Sequence, residues 1–144
     1  MTKVIAIDPG ETNGVCMATK RSDGKWTLSL VEAYLPEQLF QLLENEIDVS
    51  LVIYETYRLY GSKAKTMIGN EFLTSQTIGV IRYICDKRKI ICTDSPATNK
   101  SFWTDEKLRK LELYVPIIHK RDAIRHFLHW LYFISKEASL KDLL

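Results

Sequence analysis
No apolar run in this chain approaches the about 20 residues that a membrane-spanning helix needs. Met1 leads directly into a strand pattern rather than into a cleavable apolar segment. Cysteine is scarce: Cys16, Cys85 and Cys92 lie inside apolar runs, show no paired metal-ligand spacing and are odd in number. They read as reduced, buried thiols, so the expected setting is cytoplasmic. Charge of one sign is not in excess either. With a net charge of +2, the basic clusters "KRSDGK", "DKRK", "KLRK" and "HKRDAIRH" are first of all solvated surface. Repeats, linkers and low-complexity stretches are absent, and 46% of the 144 residues are hydrophobic. That is enough for one core, and residues 1–144 are expected to form a single domain.

What is present is a run of well-marked elements. Val4 to Ile7 is β-branched and apolar, and "GVCMAT" follows after a short turn, as in a hairpin. "WTLSLVEAY" alternates, with Trp26, Leu28 and Leu30 on one face and Thr27 and Ser29 on the other. Pro36 and Glu37 open a helix carrying Leu39, Leu42, Leu43 and Ile47 at helical spacing. "LVIY", Leu51 to Tyr54, reads as a central strand covered on both faces. A long helix is predicted from about Thr66 to Lys87, a fifth strand over "KIICTD", and one short helix in the irregular stretch from Ser95 to Pro116. The last helix is predicted to start near His119, with Ile124, Phe127, Leu128 and Leu131 as its apolar stripe. The order predicts an α/β fold: a five-stranded mixed sheet, three antiparallel strands then two parallel, with helices on both faces.

Asp8 and Glu55 occupy corresponding places, each at the C-terminal tip of an apolar strand. If those strands are neighbours, two like charges meet, and either a proton or a cation must relieve them. Hard oxygen ligands on separate elements suit Mg²⁺ or Mn²⁺. "HKRDA" adds a third acid, with His119 and Asp122 three positions apart on one helix. The apolar stripe lies roughly opposite Asp122, which places the start of the helix at the rim of a cleft. His126 and His129 fall on the same side, and a solvent-facing or partly packed role is expected for both. Gly79, inside a helix at a cost of about 1 kcal/mol relative to Ala, permits close approach of another backbone.

Asp-Pro-Gly after the first strand, a Glu ending the fourth and His-x-x-Asp-Ala on the last helix resemble the RuvC-type Holliday junction resolvases. Gln76, Gly79 and Val80 resemble that family's Gln-x-x-Gly-Val segment, and Pro96 with Lys100 its Pro-x-x-x-Lys. The resemblance covers nearly the whole chain in order, although the stretch from Lys100 to His119 is shorter than in the bacterial enzymes. Such compactness suits a phage-encoded version. The resemblance implies an RNase H-like fold and a homodimeric endonuclease with two metal ions, Mg²⁺ or Mn²⁺, roughly 3.5–4 Å apart in each active site. Asp8 would bridge both ions, Glu55 would bind one, and Asp122, helped by His119, the other. The products would carry 5′-phosphate ends. It also implies four-way DNA junctions as substrate, a bacterial or phage-infected cytoplasm, and no membrane or nucleotide cofactor.

The loop after Glu55 interleaves Tyr57, Arg58, Tyr60, Lys63 and Lys65. Aromatics and bases so arranged suit stacking on an unpaired base and contact with phosphates. By resemblance either Tyr57 or Tyr60 is the wedge at the crossover, and Lys100 and Lys107 are candidate phosphate contacts. Gly79 would lie at the dimer interface, though a helix packed on its own sheet explains it equally well. The rival readings are a YqgF-type nuclease acting on RNA or branched DNA, a non-catalytic nucleic-acid-binding relative, and an actin- or sugar-kinase-like ATPase. The last shares the "DPGETNG" style of opening but needs two domains, for which 144 residues leave no room.

Overall fold
The computed structural model describes residues 2–56 and 73–135. Strands β1 (Lys3–Asp8), β2 (Asn13–Lys20) and β3 (Trp26–Tyr34) form an antiparallel meander. Helix α1 (Pro36–Asn45) follows, then β4 (Val49–Glu55), α2 (Leu73–Arg88) and β5 (Ile91–Ser95). Two short helices, α3 (Asn99–Phe102) and α4 (Asp105–Lys110), precede α5 (Ile118–His129), which runs on into a π-helical turn over Trp130–Ile134. The sheet order is β3-β2-β1-β4-β5, with β4 parallel to both β1 and β5. The mixed five-stranded sheet expected from the sequence is the one found.

Strand alternation divides the sheet into two cores. Val4, Ala6, Cys16, Ala18 and Ile53 face α5 and pack on Phe127, Leu128 and Leu131. Ile5, Ile7, Val15, Met17 and Val52 face the other way, onto Leu39 and Leu43 of α1 and Ile81 and Ile84 of α2. Pro36 opens α1, and the Leu35 N–H donates to the Gln38 side chain at 2.9 Å, so one otherwise unpaired donor is satisfied. Ile47 falls beyond the end of this helix and is exposed. The cysteines are free, with Cys16 and Cys85 buried and Cys92 partly so. Among the described residues no helix is long and apolar enough to cross a membrane.

The stretch between β5 and α5 departs from expectation by holding two short helices rather than one. Trp103 and Leu108 anchor it in the α5-side core, and Thr104 caps α4 by accepting from the Lys107 N–H at 3.3 Å. The predicted beginning of the long helix at Thr66 lies outside the described residues, as do Tyr57, Arg58, Tyr60, Lys63 and Lys65.

Candidate active site
Strand register brings the site together before any side chain is considered. Asp8 stands opposite Gly14 on β2, Ile7 opposite Tyr54 on β4, and Glu55 opposite Ser95 on β5. Asp8 follows Val4 and Ala6 in alternation, and Glu55 follows Ile53, so both carboxylates emerge on the face covered by α5. At this end of the sheet the strands stop and α5 starts. Asn13 shapes the turn between β1 and β2: its Oδ1 accepts from the Gly10 N–H and its Nδ2 donates to the Tyr34 carbonyl, each at 3.1 Å. The Asp-Pro-Gly loop is thereby held by the edge of its own hairpin.

Gly14 determines how close α5 can come. A Cβ built there would overlap the backbone carbonyl of His119 and lie 3.1 Å from the Lys120 amide nitrogen. Only a residue without a side chain lets the first turn of α5 rest on β2. That contact sets His119 Nδ1 3.1 Å from Asp8 Oδ2. The expectation that His119 assists Asp122 is therefore revised in one respect: in the structure its partner is Asp8.

Asp122 sits one turn further along α5, 7% exposed. Its Oδ1 accepts from Arg125 at 2.7 Å and its Oδ2 faces Lys100 Nζ at 3.3 Å. Lys100 also reaches Glu55 Oε2 at 3.0 Å and Oε1 at 3.2 Å. The lysine expected at the DNA surface is thus threaded between two of the three acids. Lys107 stays at the surface, donating to the Phe102 carbonyl at 2.8 Å with its ammonium 3.5 Å from the Phe102 ring centre.

His126 corrects the sequence reading outright. It is fully buried, with Nε2 2.9 Å from Glu55 Oε2 and Nδ1 2.7 Å from Ser95 Oγ. The reason is the seating of α5, which buries Asp122, Ala123, Ile124, His126, Phe127 and Leu128 rather than a narrow stripe. Asp122 therefore lies within the contact arc and not opposite it. His129 is partly packed as expected, its ring 4.7 Å from that of Phe133. Burial and the neighbouring His126 hold it below the usual imidazole range. Arg125, which sequence reasoning did not single out, ties the Trp103 carbonyl (2.6 Å) and Asp105 to Asp122. The only sequence signal for it was a basic residue three positions after an acid on a helix.

Electrostatically the acids behave as a pair and a satellite. Burial, followed by the Glu55 charge, pushes the Asp8 carboxyl up to about 7, against the pull of His119 and Lys100. Burial also acts to raise Glu55, but its bonds to His126, Asp8 and Lys100 outweigh it and hold the group down at about 2. Asp8 is therefore the carboxyl that keeps a proton near neutrality, hydrogen-bonded to Glu55. Burial works against the Lys100 ammonium, and Glu55, Asp122 and Asp8 more than restore it.

The structure of Thermus thermophilus RuvC in complex with a Holliday junction substrate superposes with a TM-score of 0.70, over 93% of this chain and 96% of that one. The fold is that of the RuvC-type resolvases. A second structure of Thermus thermophilus RuvC gives 0.69 over the same shares, at 14% identity. The fowlpox virus Holliday junction resolvase gives 0.60, over 90% of this chain and 98% of that one. Identity is 13% to the first and 12% to the viral protein, which speaks to the fold and not to the activity. No protein-family model and no curated protein matches the chain in sequence.

Proposed function
We propose that this chain is a structure-selective endonuclease that resolves four-way DNA junctions by paired nicks, using Mg²⁺ or Mn²⁺ to hydrolyse phosphodiesters. The observation that supports this reading is the gathering of Asp8, Glu55 and Asp122 around Lys100 at one end of a sheet of resolvase fold. A pure binding protein gains nothing by grouping carboxylates where DNA phosphate would approach.

The donor set fits a divalent cation in chemistry: carboxylate oxygens from three separate elements, one of them pushed up to about 7 by burial and by the neighbouring Glu55 charge. Among the described residues no three His, Cys, Asp or Glu side chains form a ready-made cage, and the Lys100 ammonium takes the cationic place. Asp8, Glu55 and Asp122, with His119 beside Asp8, are the residues that would hold the metal. When bound, it supplies an activated water and neutralises charge on the leaving 3′ oxygen. The chain's own part is orientation: β1 and β4 fix Asp8 and Glu55, Arg125 fixes Asp122, and His119 fixes Asp8. Lys100, released from the acids, is placed to meet a non-bridging phosphate oxygen. Paired nicks call for two copies, and the exposed face of α2 is the surface we assign to that contact. Among the described residues a Cβ at Gly79 would meet nothing within 4 Å, which leaves room there for a second copy.

The test is cleavage of a synthetic four-way junction, a matched duplex and an RNA–DNA hybrid, with and without Mg²⁺. Symmetric nicks in the junction alone, dependent on Mg²⁺, are expected. Asp8→Asn should abolish them while junction binding persists. Hybrid-only cleavage would instead make the chain an RNase H-like nuclease of another specificity, and full cleavage by the variant would sink the active-site assignment.

A further inference from the structure
We infer that His126 is a positioning residue, which holds the Glu55 carboxylate through one directed hydrogen-bond chain running Asn99–Ser95–His126–Glu55. The inference rests on the reading above in taking Glu55 as a working group. Register already sets Glu55 beside Ser95 on adjacent strands, and His126, reaching down from α5 one turn after Asp122, closes the triangle. Its ring is wholly buried, where an unpaired nitrogen is costly.

The direction of the chain is set by its last member: the Glu55 carboxylate only accepts, so His126 Nε2, 2.9 Å from Oε2, must carry the proton, and in a neutral ring Nδ1 is left to accept. The Ser95 hydroxyl proton then points at His126 Nδ1, 2.7 Å away. Asn99 Nδ2 can only donate, and it donates to Ser95 Oγ at 2.9 Å. Both nitrogens are engaged, so His126 acts behind the carboxylate rather than as a ligand itself. An aromatic ring would fill this space as well. It would not bond β5 on one side and the tip of β4 on the other. The chain begins on α3, next to Lys100, and so also seats the helix that carries the lysine. Partners of this kind behind a ligating carboxylate change metal affinity or activity by about 10- to 100-fold.

Two measurements on the full chain test this. Nitrogen-15 spectra of the imidazole rings, recorded without metal, should show the His126 proton on Nε2. Calorimetric titration with Mn²⁺ alone should show a 10- to 100-fold loss of affinity in His126→Phe, which keeps the ring volume. Recovery is expected in His126→Gln, whose amide nitrogen can still donate to Glu55. A proton on Nδ1, or a folded His126→Phe with wild-type Mn²⁺ affinity, would overturn the proposal. If the wild-type chain binds no Mn²⁺, the nuclease reading fails. The positioning claim then stands or falls on the ring tautomer and on whether the Glu55 carboxyl carbon shift moves in the Phe variant but not in the Gln variant. Should His126→Phe not fold, Ser95→Ala and the Gln variant supply the same comparison.

Discussion
At Asp8, burial and the Glu55 charge oppose ionisation while His119 and Lys100 favour it, and the carboxyl ends near 7 instead of its ordinary 3.8. The folded protein thus keeps a proton between about pH 4 and pH 7 that the unfolded chain has released, and metal-free stability falls as pH rises through that window. Glu55, lowered from 4.5 to about 2, acts in the opposite sense: its contribution is present above 4.5 and is lost as pH drops towards 2. Asp8→Asn should remove the first of these effects. In EDTA at pH 8 the variant is expected to be more stable than wild type by roughly 1–2 kcal/mol, about 4–8 °C in melting temperature, with the difference shrinking by pH 5. Thermal melts at the two pH values check it, and an unchanged gap would show that the Asp8 charge is not what costs stability. The acids were legible in the sequence because strand ends and helical spacing announce them. His126 was not, because the width of the arc that α5 buries depends on how the helix lies across the sheet, which periodicity does not encode. Gly14 left a faint mark, a glycine inside a β-branched run.

Among the elements, α5 matters most, since it brings His119, Asp122 and His126 to strands laid down over a hundred residues earlier in the case of Asp8. Its first turn has no room to move towards β2. Gly14→Ala should displace that turn, cost about 1–3 kcal/mol as overpacking does, and lower junction cleavage on the order of 100-fold by drawing His119 away from Asp8. Melting and nicking rates of one preparation test both parts. Wild-type cleavage would mean that the contact is slack. The strands and α1 could be read ahead of the structure because alternation, apolar runs and Pro36 each carry a physical signal. The α3–α4 stretch could not, because single anchors such as Trp103 and Leu108 have no period. Nor did any feature of "WLYFI" foretell that α5 would widen into a π-helical turn, closed by the Ser135 N–H donating to the Trp130 carbonyl.

For the whole molecule, the sheet has two unlike faces. The acids lie on the α5 face, whereas the opposite side carries an open groove between α2 and the β4–β5 edge, bordered by Gly79, Arg82, Tyr83 and Asp94. Tyr83 is 64% exposed on the outward side of α2. Tyr83→Glu is expected to leave folding and the acid cluster intact while converting a dimer to a monomer by light scattering, and paired nicks to single ones. A wild-type chain that is monomeric on the junction would remove the basis for that surface.

The seating of α5 on Gly14 also has a consequence in time. A ribosome delivers Asp8 first, Glu55 later and Asp122 only near the end of the described chain. A nascent or truncated polypeptide therefore carries two acids without the helix that completes them. By this order of assembly the three carboxylates come together only when the fold is nearly finished.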